Sequence, residues 1–345
     1  MTSRNNFRTA PFSWTRFAAV VAFASLITML TVAASAQQDT SQETQESHSA
    51  SRLPQRFQLP ATTIWKFGIQ IEGAGDAKID KVTFPLPVDW PDQTVEVLSI
   101  DASENVKGQK IKKLGSDASQ MFFKVPRLAA GEVAEVFVTM KINKPESNAP
   151  EDTSEFVFAK KITRKLRGYL SPSPYIESKD DRIVEVANAL PVNEDDPAWK
   201  QVETIYTWVR ENIDYKFDTE IQSCLTALDA GHGDCEELSS MFVALCRARG
   251  IPARAVWIPE HTYPEFYLED AEGKGHWFPC QCAGSYAFGH MPEAKPILSK
   301  GDKFKVSGHP RPLRYIQPTM KAFGTPPQWG WKMEQVKNEN EAGDD

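Results

Sequence analysis

The sequence predicts an all-β sandwich followed by an α+β domain, and three observations carry that expectation. At 345 residues the chain has room for two domains with sizeable cores. Apolar residues alternate with polar ones through residues 56–160. From about residue 165 they recur instead at spacings of three and four, the helical period.

The strands come first. In IWKFGIQI, Trp65, Phe67, Ile69 and Ile71 alternate with Lys66, Gly68 and Gln70. Val82, Phe84, Leu86 and Val88 do the same, as do Met121, Phe123 and Val125, and then Val136, Val138, Met140 and Ile142. Such runs, bounded by Gly, Pro, Asp and Asn, are half-buried antiparallel strands. Six or seven of them in about a hundred residues predict a sandwich. Pro85 and Pro87 mark their strand as an edge, because proline cannot donate to a ladder. Nothing in this region carries chemistry, so it reads as a support or docking module.

The second body spans residues 165–320. DRIVEVANAL predicts a short helix. Asp196 is placed to cap a longer one with Pro197 at its first position, and Trp199, Val202, Tyr206, Val209 and Ile213 form its buried face. SCLTALDAG adds another short helix. In GHGDCEELSSMFVALCRARGIPAR, Asp234 caps a helix and Glu237 reaches back in a capping box. Leu238, Met241, Phe242 and Leu245 form its stripe, and Gly250-Ile251-Pro252 ends it. ARAVWI, EFYL and HWFPCQC read as strands.

The termini carry different signals. Arg4, Arg8 and Arg16 precede an apolar run from Phe17 to Val32 and then Ala34-Ser35-Ala36. This is the pattern of a signal peptide over 1–36, with an uncleaved anchor as the rival. It predicts an exported protein, periplasmic or extracellular, with no stable membrane association after cleavage. Residues 37–55 are polar and read as a disordered linker, and 333–345, ending KNENEAGDD, as an acidic disordered tail. The formal charge of −7 comes without a basic run and argues against a nucleic-acid partner.

Cys235 stands at the first turn of its helix, where unpaired N–H groups and the macrodipole favour thiolate. Glu236 and Glu237 push the other way, and an imidazolium partner would tip the balance. His261, just before a strand expected beside the helix, is the candidate. The plainer reading is a core thiol, which Cys246 fits well, and a merely polar histidine. His276, Cys280, Cys282 and His290 fall within fifteen residues and form a zinc candidate, although one residue between cysteines is fewer than the usual two to four. Five cysteines leave one unpaired. Cys224, Cys246, Cys280 and Cys282 could form two disulfides in three connectivities. No glycine-rich phosphate loop, G-x-S-x-G or EF-hand loop is present, and no cofactor is expected.

The segment GHGDCEELSSMFVALCRARGIPARAV resembles the nucleophile segment of the transglutaminase-like superfamily. IYTWVRENIDY resembles the helix upstream of it, HTYPEFYL the histidine segment, and HWFPCQC the third segment, W-x-P-x-D. The resemblance covers about 180–320. It implies an α+β transglutaminase-like (papain-like cysteine protease) domain, joined to the N-terminal all-β sandwich, immunoglobulin-like, that the strand pattern predicts. Carried over by position, Cys235 is the nucleophile, His261 the general base, and Gln281 stands where the family has aspartate. An amide oxygen can fix the imidazole tautomer but supplies no charge. The chemistry implied is acyl transfer from a protein or peptide substrate through a Cys235 thioester, with hydrolysis favoured over amine transfer. The alternative from a different class is a catalytically degenerate fold that binds proteins or peptides.

Overall fold

The alternating stretches become six strands, described here by a computed structural model covering residues 61–115 and 117–336. The expected leader (1–36), linker (37–55) and end of the tail (337–345) lie outside the described residues. The strands are β1 (Ala61–Glu72), β2 (Ala77–Leu86), β3 (Thr94–Ala102), β4 (Lys107–Lys113), β5 (Ser119–Leu128) and β6 (Val133–Lys144).

Two more strands, β14 (Thr319–Gly324) and β15 (Gln328–Val336), return from the far end of the chain and complete two antiparallel sheets. Their orders are β15-β1-β6-β3 and β14-β2-β5-β4. Trp65, Phe67, Ile69 and Ile71 of one sheet meet Ile79, Val82, Phe84 and Met121 of the other in a single buried cluster. Burying each such side chain is worth about 1.5–3 kcal/mol.

Two expectations are corrected here. The strand holding Pro85 is not an edge, since β2 lies between β14 and β5. Proline is tolerated because β14 pairs only as far as Thr83, whereas β5 continues alongside to Leu86. The tail also begins later than residue 333. Trp329, Trp331 and Met333 pack against the shared cluster, so β15 runs on to Val336.

The second body holds α1 (Arg164–Gly168), α2 (Asp181–Ala189), α3 (Ala198–Asn212), β7 (Asp214–Tyr215), α4 (Cys224–Ala230), β8 (His232–Gly233) and α5 (Cys235–Ala248). It continues through β9 (Ala253–Ile258), β10 (His261–Glu269), β11 (Gly275–Gln281), β12 (Ala287–Phe288) and β13 (Ser299–Lys300). These five strands form one antiparallel sheet in the order β12-β11-β10-β9-β13. Helix α5 lies against it, and Trp199, Tyr206, Met241, Phe242, Phe266 and Phe278 share the core between. Helix α3 starts one residue later than expected. Pro197 is its cap residue, and the Asp196 carboxylate accepts from Asn193 instead of from a helix amide.

The end of the five-stranded sheet docks on the first body. Lys300 reaches Asp92 at 2.8 Å, the Gln93 amide bonds the Ile297 backbone, and Leu298 joins the β-sheet cluster. Among the described residues no helix is long and apolar enough to cross a membrane.

Candidate active site

The mouth of α5 is built by its own local sequence. Gly231 ends α4 in the left-handed region (φ 68°), where glycine carries no penalty. Gly233 is required for a different reason: a Cβ there would lie 2.4 Å from Cβ of Glu237. That close approach lets Glu237 turn back over the loop, taking the Asp234 N–H at 3.0 Å and the Gln222 N–H at 2.7 Å. Asp234 in turn accepts from the Glu236 N–H at 2.7 Å and from the Glu237 N–H, the second of which completes the capping box. Cys235 is thereby fixed at the first helical position, half-buried against the core.

One turn along the same face, Ser239 donates to the Thr262 carbonyl at 3.3 Å. The Thr262 N–H meets the Cys235 sulfur and stabilises its thiolate form. The peptide joining His261 to Thr262 is therefore held against the helix mouth. His261 is the first residue of β10, paired with Ile258 across a two-residue turn in which Glu260 adopts φ 63°. For a residue with a Cβ this conformation costs about 1 kcal/mol or more.

Gln281 ends β11. Its backbone carbonyl accepts from the Tyr206 hydroxyl at 3.0 Å and from Arg210 at 2.9 Å, and its side-chain amide donates to Ser285 at 3.1 Å. The Gln281 carboxamide also contacts the His261 ring and favours its protonated form. The contact is loose, since neither Gln281 Oε1 nor His261 Nε2, both buried, has a hydrogen bond of ordinary geometry. Catalytic hydrogen bonds are often long before substrate binds.

Electrostatically the site differs from the thiolate expected at a helix terminus. Burial, followed by the Asp234 carboxylate, pushes the Cys235 thiol up to about 12, with Glu236 and Glu237 adding to the rise. The Thr262 N–H opposes them but does not prevail. Burial pushes Asp234 up to about 8 and Glu236 to about 7, the latter despite the nearby Arg314 guanidinium. Burial lowers His261, against Glu293 and Gln281, and Lys295 lowers it further. At neutral pH Cys235 therefore rests as a thiol and His261 as a neutral imidazole.

Beneath His261 on the same strand lies a buried charge network. Glu265 pairs with Arg254 at 2.6 Å and with Lys300 at 2.8 Å, and the Arg254 guanidinium sits 4.0 Å from the Trp277 ring centroid. Burial alone would raise Glu265, yet the two cations hold it down to about 2. Glu265 thus supports the strand and does not face the thiol.

The zinc arrangement does not form. His276 Nε2 bonds Asp270 at 2.6 Å, and His290 Nδ1 contacts the Phe288 carbonyl at 3.2 Å. Among the described residues no group of three or more His, Cys, Asp or Glu is arranged to hold a metal. The expected disulfides are likewise replaced by free thiols in all five cysteines. Cys224 donates to Glu177 at 3.0 Å, while the Cys280 thiol contacts Cys282 in the core beside Cys246.

Two neighbours of His261 escaped the sequence reading. The Glu293 carboxylate stands 3.8 Å from His261 Nε2, and Lys295 stands 3.4 Å from the other Glu293 oxygen. Both lie in a loop without periodicity, 32 and 34 residues beyond the histidine, and only the fold brings them near.

Residues 184–282 match the profile of the transglutaminase-like superfamily. That stretch runs from α2 to just past β11, contains Cys235, His261 and Gln281, and is a transglutaminase-like core. No curated protein matches the sequence. Among solved structures, a candidate cysteine protease from Cytophaga hutchinsonii is similar with a TM-score of 0.53 at 14% identity, over 81% of this chain and 92% of its own. The fold is therefore shared across both bodies. A candidate protease from Parabacteroides distasonis aligns over 64% of this chain and 46% of its own at 13% identity, with a TM-score of only 0.27.

Proposed function

We propose that this protein is a thiol enzyme acting on peptide or carboxamide bonds of protein or peptide substrates through a Cys235 acyl-enzyme. The observation that carries the proposal is the apposition of Cys235 to the peptide joining His261 to Thr262, with the Gln281 carboxamide on the imidazole. A fold shared with a candidate cysteine protease is consistent with it.

The resting protonation state sets the order of events. The Cys235 thiol passes its proton to neutral His261 as sulfur bonds the substrate carbonyl carbon. The carbonyl oxygen takes the negative charge, and the Cys235 N–H is not among the amides that Asp234 occupies, those of Glu236 and Glu237. The imidazolium then gives the proton to the departing amine, leaving a thioester. Water, deprotonated by His261, attacks that thioester, releasing a carboxylic acid and restoring the thiol. An amine in place of water would give transfer, and hydrolysis is the favoured outcome. The protein is exported, on the strength of its leader-like first 36 residues. The paired β-sheets act as an immunoglobulin-like support.

Two observations favour a second reading, a peptide-binding module on a degenerate site. The thiol is pushed well above the range of reactive cysteines, and no aspartate follows the third-segment proline. The experiment is an acyl-enzyme trap. The protein is incubated with a digest of glutamine-rich peptides, quenched in acid, and the mass of the Cys235 peptide is read. A hydroxylamine-labile acyl adduct that is absent from Cys235→Ala supports the enzyme. Peptide retention equal in both proteins, with no adduct, supports the binding module.

A further inference from the structure

We propose that Glu293 is the charge partner of His261, a positioning residue that supplies the negative charge Gln281 lacks. The inference rests on the thiol-enzyme reading above and assigns one further residue to it.

Two side chains divide the work that one carboxylate could do alone. Gln281 can accept a hydrogen bond, but it is neutral. His261 Nε2 is buried and has no hydrogen-bond partner, and the acidic oxygen at 3.8 Å from it is Glu293 Oε1. In the resting state the ring is neutral and the gap costs little. When the ring takes the Cys235 proton, a buried cation forms. A carboxylate within 4–6 Å favours such a cation, and the attraction is strong where water is excluded. Closing from 3.8 Å to an ordinary charged hydrogen bond needs a movement of about 1 Å.

The loop holding Glu293 is pinned on both sides, which makes that placement reproducible. Lys144 of β6 donates to the Glu293 carbonyl at 2.6 Å. Just before it, Met291 is buried and its N–H bonds the Ser147 carbonyl at 3.1 Å. Just after it, the Ile297 N–H bonds the Gln93 side chain at 2.6 Å. Lys144, Ser147 and Gln93 all come from the first body or its exit, so that body fixes a group of the site. Lys295 takes the second Glu293 oxygen and leaves Oε1 toward the ring. The charged groups around His261 are thus Glu293 and Lys295 on this loop, with Lys144 behind them. Gln281 faces the ring from β11, and Cys235 and Asp234 stand at the helix mouth.

The test uses full-length protein and reads the His261 titration by NMR, with His261→Gln assigning the signal. Glu293→Gln keeps the shape and removes the charge. The expected result is a lower His261 pKa and an acid limb of kcat/KM moved to lower pH, with kcat falling about tenfold or more and KM little changed. Glu293→Asp restores most of both, and Glu293→Ala, read by the same titration, takes the place of the glutamine variant should that not fold. An unchanged His261 titration in a folded Glu293→Gln protein overturns the pairing. The titration does not depend on turnover, so a shifted pKa in a protein that forms no acyl-enzyme keeps the pairing and rejects the enzyme reading instead.

Discussion

The Thr262 N–H meets the sulfur of Cys235, and the other end of that same peptide group belongs to His261. That approach brings the mouth of helix α5 against the first residues of strand β10. Ser239 repeats the coupling one turn further along, through the Thr262 carbonyl. Cys235 at the helix mouth and His261 at the strand start are thereby tied through one stretch of backbone.

The first prediction concerns the free thiol. Iodoacetamide reacts with thiolate, so a thiol pushed up to about 12 labels at pH 7 roughly three orders of magnitude more slowly than an ordinary cysteine of pKa about 8.5. The rate should climb with pH and reach no plateau below pH 10. Asp234→Asn keeps a side chain that can cap the helix but removes a carboxylate that raises the thiol once it is ionised, and should speed labelling above pH 8. Rapid labelling of the unaltered protein with a plateau below pH 8 would refute this electrostatic picture.

Much of that mouth was legible in the sequence because its determinants are local. Asp234 and Glu237 lie three residues apart, and the capping box needs no distant partner; the part played by Gly233 beside them shows only in the structure. The strands around Trp65 and Val136 were legible through alternation alone. What escaped depends on long connections. Pro85 read as an edge because the strand covering its outer side, β14, enters from more than two hundred residues away and stops just short of it. Cysteine parity suggested disulfides, yet burial and the Glu177 carboxylate account for where the thiols lie. Glu293 reaches His261 only because its loop is tied to β6, a relation no spacing rule contains.

Gly233→Ala tests the local part. Its new Cβ would lie 2.4 Å from the Glu237 Cβ, the fixed near end of that side chain, which no rotamer change can move away. The substitution should cost about 1–3 kcal/mol, read as a lower denaturant midpoint with unchanged m-value. It should also release the Gln222 loop, which the Glu237 carboxylate holds, and so speed amide exchange at Gln222. A midpoint within experimental error of the parent protein would contradict the steric argument.

Stability against pH should show two opposed slopes. Glu265 is depressed from 4.5 to about 2, so its contribution is complete above pH 4.5 and is lost as pH falls toward 2. The shift corresponds to about 3 kcal/mol. Asp234 and Glu236 are raised instead, to about 8 and about 7, so the folded state binds more protons than the unfolded one and stability falls as pH rises through those values. His261, being lowered, works against them only below its unfolded value of 6.5. Between pH 6.5 and 8 the two carboxylates therefore act in one direction. Thermal midpoints should decline across that window and flatten in Asp234→Asn. A midpoint that climbs from pH 6.5 to 8 would count against raised carboxylates at the helix mouth.

Restoring the carboxylate at position 281 separates an active site from a degenerate one. Gln281→Asp places a charge where the side chain now offers only an amide oxygen, on a strand end already fixed through its carbonyl by Tyr206 and Arg210. A carboxylate within reach of the ring favours the imidazolium that forms during the reaction, so adding it here should raise kcat/KM by about tenfold or more if His261 is the working base. The His261 pKa should rise, and the acid limb of the profile should move to higher pH, opposite to the shift expected for Glu293→Gln. The gain should shrink if Glu293 already supplies part of the charge, and should be larger when Glu293→Gln is present in the same chain. A folded Gln281→Asp protein with a shifted His261 titration and no acyl-enzyme on Cys235 would instead assign the fold to binding, with the thiol a passive member of the core.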